Sequence, residues 1–193
     1  MLSLKESLKI LKETNALREG HFILSSGLHS SQYVQCAQLM SKPYNANKIC
    51  QSLAFKITKE LPEFDLILSP AMGGVVIGYE IGRLLKKETI FAERVNKEFK
   101  LRRDFQIKKK SKVLIIEDVI TTGKSSLECS KLITFNDAII VGYACIIDRS
   151  NGKSKIKNKI VSQIEINIPT FSKDNIPKEL SLIEPVKPGS RNL

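Results

Sequence analysis

Val113-Leu114-Ile115-Ile116-Glu117-Asp118-Val119-Ile120-Thr121-Thr122-Gly123-Lys124-Ser125-Ser126 is the stretch of this 193-residue chain that decides how the rest is read. Four consecutive apolar residues, three of them β-branched, have the pattern of a strand buried on both faces, as in a parallel sheet. Two carboxylates follow, then hydroxyls and a glycine where a helix opens. The first N–H groups of a helix lack intrahelical partners. A turn carrying Thr121, Thr122 and Ser125 around Gly123 is therefore a cradle for a phosphate, with Lys124 as an added charge. Glu117 and Asp118 would repel that phosphate unless they face something else. Vicinal sugar hydroxyls fit, because a carboxylate accepts several hydrogen bonds. The stretch thus reads as a receptor for a ribose 5-phosphate. The plainer alternative is an acid and threonines that merely end a strand and start a helix. Gly123-Lys124-Ser125 also invites a nucleotide P-loop reading, which requires a glycine five positions before Gly123, where Asp118 stands.

Outward from this stretch, short apolar runs alternate with helical patterns. Leu66–Leu68, Thr89–Ala92 and Ala138–Ile147 read as strands, and Val75–Leu85 and Ser125–Phe135 as helices. Ala46, Ile49, Cys50, Leu53, Ala54 and Ile57 fall on one helical face and predict a helix over 46–60, ended by Pro62. Residues 4–17 carry Leu4, Leu8 and Leu11 at helical spacing, with Gly20 as a stop. The alternation predicts an α/β fold, a mostly parallel twisted sheet flanked by helices. Ile160–Ile168 reads as a further, edge-like strand, and the proline-bearing tail 172–193 as irregular. In such sheets ligands bind beyond the carboxyl ends of the strands. Those ends carry Ser69–Gly74 (SPAMGG), a basic segment, the acid pair with its turn, and Asp148-Arg149, so the unusual chemistry gathers on one edge.

The length suits one domain with a substantial core. Net charge is +11. The stretch from Arg94 to Lys112 contributes +7 and that from Asn151 to Ile160 +4, so the remainder is neutral. Such runs attract polyanions (phosphates, nucleic acid or acidic lipid) or are simply solvated lysine-rich faces. Only Phe99 and Phe105 interleave with them, which gives little support to a base-stacking platform. No apolar run is long enough to cross a membrane, and the first residues lack the apolar core of a signal peptide. Cys36, Cys50, Cys129 and Cys145 form no CxxC pair. Zinc is therefore not expected, and free buried thiols in a cytoplasmic protein are.

The acid pair followed by two variable residues and Thr-Thr-Gly resembles the phosphoribosyl diphosphate signature of type I phosphoribosyltransferases. Further blocks resemble orotate phosphoribosyltransferases in particular. They are Gly20–Ser30 with Tyr33-Val34-Gln35, Ser69–Glu80, Phe91-Ala92-Glu93-Arg94 with Leu101-Arg102-Arg103, Asp148-Arg149, and Lys187-Pro188-Gly189-Ser190-Arg191. Together they span nearly the whole chain.

The resemblance implies a single phosphoribosyltransferase domain over 1–193, with a small hood formed mainly by residues 1–45 and the C-terminal tail. It implies transfer of ribose 5-phosphate from phosphoribosyl diphosphate to N1 of orotate, giving orotidine 5′-monophosphate and diphosphate, with Mg²⁺ as cofactor and few direct protein ligands to the metal. The alternatives are a purine- or uracil-specific relative, or a non-catalytic nucleic-acid-binding regulator on the same fold. The donor would lie on Glu117, Asp118, Val119, Ile120, Thr121, Thr122, Gly123, Lys124 and Ser125, and orotate on Thr121 and Arg149. Asp118 and Arg94 are the implied catalytic residues. Segment 93–110 would be a lid shared across a homodimer interface. His29 lies in the hood block, whereas His21 reads as structural. One departure stands out: some relatives carry a lysine where this chain has Gly73. The Lys153–Lys159 run receives no role.

Overall fold

The computed structural model describes residues 1–24 and 26–188. In chain order the elements are α1 (Leu4–Glu13), β1 (Leu17–Ile23), β2 (His29–Val34), α2 (Cys36–Met40), α3 (Pro43–Glu60), β3 (Leu66–Pro70), α4 (Gly73–Leu85), β4 (Glu88–Val95), β5 (Glu98–Leu101), β6 (Lys112–Ile120), α5 (Lys124–Phe135), β7 (Ile139–Asp148), β8 (Ile160–Glu165), β9 (Thr170–Phe171) and α6 (Lys178–Ser181). Local chemistry marks several ends. Ser3 and Glu6 form a reciprocal capping box on α1. Pro43 occupies the first turn of α3, where a missing N–H costs nothing.

The main sheet has the order β5-β4-β3-β6-β7-β8, parallel throughout except for the antiparallel β4–β5 hairpin. Its central strands are buried on both faces, and period two divides their side chains between two cores. Ile67, Leu114, Ile116, Ala144 and Ile146 face the core built with α1, α3 and α4. Leu66, Leu68, Val113, Ile115 and Cys145 face the other, which holds Cys129 and Ile133 of α5. Gly74, Gly78 and Gly82 form a stripe along α4 that lets the helix lie close on β3 and β4. A Cβ at Gly74 would stand 2.8 Å from the Ile116 carbonyl oxygen.

From β3 the chain steps outward to β4. From β6 it steps the other way, to β7 and β8. The topological switch point therefore lies between β3 and β6, the place where open α/β sheets bind ligands. A second, three-stranded antiparallel sheet, β1-β2-β9, sits apart, and Val186 of the tail bridges to Phe22 beside it.

Two differences from the sequence reading have physical causes. The strand expected over Val113–Ile116 runs on to Ile120, because β7 keeps pairing with it as far as Ile120 opposite Asp148. The acid pair therefore sits on the strand itself. The tail, expected to be irregular, carries a turn of 3₁₀ helix at Lys173–Asn175 and the short α6. All four cysteines are free and buried. Among the described residues no helix is long and apolar enough to cross a membrane.

Candidate active site

The carboxyl ends of β3 and β6 open into a cleft of about 570 Å³, walled by Gly73, Arg94, Glu117, Asp118, Val119 and Ser125 and closed on the far side by Val34–Ala37. Asp118 is fixed by a hydrogen bond from the Val119 N–H to its Oδ1, 2.8 Å. Burial pushes its carboxyl above the ordinary value, and no ion pair involves it among the described residues. Glu117 accepts a hydrogen bond from the Ser126 hydroxyl. Burial is the main cause raising its pKa to about 7; the neighbouring Asp118 adds to the rise, and Ser126 and Arg94 oppose it. Two desolvated carboxylates, neither in an ion pair among the described residues, are costly unless a ligand supplies hydroxyl donors or positive charge.

Beyond Ile120 the chain makes its turn. Gly123 adopts φ +74° as the N-cap of α5 and has no side chain to cap it; the Lys124 N–H makes a long bond to the Thr122 hydroxyl, 3.4 Å. Thr121, Thr122 and Lys124 are exposed, while Gly123 is buried. On the opposite wall Gly73 begins α4, and its environment accounts for the departure noted in the sequence. A Cβ at this position would lie 2.6 Å from Oδ2 and 2.8 Å from Oδ1 of Asp118. With Asp118 in this pose, residue 73 has no room for any side chain, a lysine included.

A family described as "Phosphoribosyl transferase domain" matches residues 42–179. This chain belongs to the phosphoribosyltransferase family. It is 44% identical to a Parvibaculum lavamentivorans protein named orotate phosphoribosyltransferase, over 96% of this chain and 97% of that one. It is 43% identical to the protein of that name from Erythrobacter litoralis, over 97% of each chain. In fold it is similar to the orotate phosphoribosyltransferase of Aeropyrum pernix, with a TM-score of 0.72 and 22% identity over 82% of this chain and 92% of that one. It also resembles an adenine phosphoribosyltransferase from Thermoanaerobacter pseudethanolicus, with a TM-score of 0.62 and 18% identity over 70% and 88% of the two chains. The fold is that of the type I phosphoribosyltransferases.

Within this phosphoribosyltransferase the residues singled out in the sequence divide into groups. Glu117, Asp118, Val119, Ser125 and Arg94 meet in the cleft wall. Thr121, Thr122, Gly123 and Lys124 form the adjoining turn. Ile120 differs: its side chain is buried in the core, and its carbonyl accepts the Arg149 N–H at 2.8 Å. That bond sets Arg149 beside Thr121. Arg149 is half-buried, its Nε is shielded and has no partner among the described residues, and burial lowers its pKa.

Segment 93–110 is more ordered than its composition suggests. Its first part is the β4–β5 hairpin, with Phe99 packed on the core and Arg94 stacked over the Phe99 ring at 4.2 Å. Arg94 pairs with Glu128 at 2.6 Å, and Arg102 and Arg103 share Glu93. Lys108–Lys110 lie at the amino ends of the strands, away from the cleft; the Lys110 N–H reaches the Asp137 carbonyl. The basic run is therefore partly neutralised and divided between two ends of the sheet. His21 is buried, bonded to the Ile183 carbonyl at 2.9 Å and to His29 at 2.6 Å. These contacts tie the small sheet to the tail. Ser126 and Glu128, which hold Glu117 and Arg94, were not singled out in the sequence; only the Lys124–Glu128 helical spacing hinted at the latter. Ser25 and Gly189-Ser190-Arg191 lie outside the described residues. Among those described, no group of three or more His, Cys, Asp or Glu side chains is placed to hold a metal.

Proposed function

We propose that this chain is an orotate phosphoribosyltransferase of pyrimidine nucleotide synthesis, with the donor across Glu117–Ser125 and orotate against Thr121 and Arg149. The observation that carries the donor assignment is the desolvated acid pair beside a helix start whose N-cap is the side-chain-less Gly123, at the switch point. Glu117 and Asp118 accept the ribose hydroxyls, and the N–H groups and hydroxyls of Thr121–Ser125 take the 5′-phosphate. The names of the full-length relatives and the unpartnered Arg149 Nε support the choice of base. A guanidinium fork matches the carboxylate of a planar ring.

In the reaction the bond from ribose C1 to the diphosphate oxygen breaks, and its electron pair leaves on diphosphate. The N1–C1 bond forms from the lone pair of orotate, which enters deprotonated and so asks no general base of the protein. The main task is to stabilise departing charge. The turn from β3 into α4 offers the backbone N–H groups of Met72, Gly73 and Gly74, and Arg94 exchanges Glu128 for the more highly charged diphosphate. Asp118 and Glu117, buried without sufficient compensating charge, fit Mg²⁺. Bound there, Mg²⁺ would supply positive charge to offset that of the departing diphosphate. The hairpin tip and the residues after it, within 93–110, close over the site and exclude water. A homodimer fits the exposed apolar side chains of Tyr44, Met72, Val76 and Tyr79 next to the cleft, with that segment shared across the interface. The buried free thiols suit the cytoplasm.

The test is loss of orotate absorbance with phosphoribosyl diphosphate and Mg²⁺, with uracil, adenine and hypoxanthine in parallel. Turnover of orotate alone is expected. Turnover of another base in its place would overturn the role given to Arg149.

A further inference from the structure

The Lys153–Lys159 run is the one conspicuous sequence feature left without a role, and its backbone lies against the phosphate turn. A tight turn follows β7: the Ser150 N–H bonds Asp148 Oδ1 at 2.7 Å, and the Lys153 N–H bonds the Ser150 carbonyl at 2.8 Å. The chain then passes beside residues 120–122. The Arg149 N–H donates to Ile120 and the Lys155 N–H to the Thr122 carbonyl, at 2.8 and 3.3 Å. Ile156 completes the contact. Its Cδ1 and Cγ1 stand 2.8 Å from where a Cβ of Gly123 would be, so this side chain fills the space beside the glycine at the head of α5. Ile156 is itself buried in the core that holds Cys129 and Ile133 of α5 and Tyr143 of β7. Lys153 and Lys155 are exposed, and neither forms an ion pair among the described residues, whereas Lys159 is paired with Glu60.

We propose that loop 151–159 is the outer wall of the phosphate cradle: Ile156 is a positioning residue that holds the Thr122–Gly123 backbone, and Lys153 and Lys155 bring two unpaired cations to the 5′-phosphate end of the donor. Two physical points support it. Gly123 has a left-handed backbone and no side chain, so nothing of its own fixes the turn, and a neighbour must do so for the N–H groups to stay aimed at a phosphate. The base side is tied separately, by the Arg149 N–H on the Ile120 carbonyl, so loosening Ile156 acts on the phosphate turn rather than on Arg149. This inference rests on the assignment of the 5′-phosphate to Thr121–Ser125.

The experiment measures kcat and the KM of each substrate separately for Ile156→Ala, Ile156→Val and the double variant Lys153→Gln/Lys155→Gln, with thermal unfolding alongside. Ile156→Ala is expected to raise the KM for phosphoribosyl diphosphate about tenfold while moving the KM for orotate less than about twofold. Ile156→Val should recover most of the loss. The double lysine variant should keep the wild-type Tm, raise donor KM several-fold and flatten its dependence on salt. Ser125→Ala and Thr122→Val serve as controls for the cradle itself. If these raise donor KM while the Ile156 and lysine variants lower only Tm or change nothing, the role of the loop is refuted and the cradle stands. If none of the variants, controls included, alters donor KM, the 5′-phosphate assignment falls and the inference falls with it. Equal increases in both KM values for Ile156→Ala would mark a general structural role and also refute the proposal.

Discussion

Replacing Gly73 by alanine adds one methyl group in the cleft wall, facing Asp118. That carbon would stand 2.6 Å from Asp118 Oδ2, and rotating the carboxylate away would break the bond from the Val119 N–H to Oδ1, 2.8 Å. To reach an ordinary contact near 3.4 Å, either Asp118 or the first turn of α4 must retreat by about 0.8 Å. Misplacing a substrate-positioning group by about 1 Å costs on the order of 100-fold in rate, or roughly 3 kcal/mol of transition-state stabilisation. Stability should change little, since alanine is the better helix former by about 0.5–1 kcal/mol and offsets part of the strain. The assay is kcat/KM for both substrates from orotate absorbance, with thermal unfolding as control. Gly73→Lys should be at least as impaired. Activity of Gly73→Ala within about threefold of wild type, at unchanged Tm, would refute the argument that Asp118 needs the empty space at residue 73.

Asp118→Asn should lower kcat by about 30-fold or more while leaving Tm equal or higher, because it removes a buried charge with no ion-pair partner. Arg149→Ala should raise the KM for orotate far more than that for phosphoribosyl diphosphate; an unchanged orotate KM would remove Arg149 from the base site. Glu117 gives a pH signature. Its folded pKa, near 7, lies above that of the unfolded chain. The native state therefore binds the extra proton between about pH 4.5 and 7, and stability falls as pH rises through that window, by about 3 kcal/mol in all. Glu117→Gln should accordingly be more stable than wild type at pH 8 and similar at pH 4, as denaturant titrations would show. Ionised Glu117 is the better acceptor of ribose hydroxyls, so donor KM should fall from pH 6 to 8 in wild type and stay flat in Glu117→Gln.

The sheet was readable because Val113–Ile116 and Ala138–Ile147 are continuous apolar runs, most of which the fold buries. Gly74, Gly78 and Gly82, spaced at four residues, fall on one face of a helix, and that face lies on the sheet. Glu117–Ile120 did not read as strand, because carboxylates are rare inside strands and their pairing depends on β7, far along the chain. The small sheet was not legible as strands either. β1 contains Gly20 and an irregularity between Glu19 and Phe22, and its neighbour β2 pairs on the other side with only two residues of a distant β9. Of the site, the acid pair and the turn announced themselves by residue type. The constraint of Asp118 on Gly73 and the contact of Ile156 with Gly123 did not, since both join segments more than 30 residues apart and leave no local period.

A crystal structure with orotidine 5′-monophosphate bound tests the central claim most directly, because that one molecule carries the phosphate, the ribose and the base. The account predicts the phosphate on the N–H groups and hydroxyls of Thr121–Ser125, the ribose hydroxyls on Glu117 and Asp118, and the base carboxylate at Arg149. Density for the nucleotide in any other cleft, or in this one with the phosphate away from the turn, would contradict it.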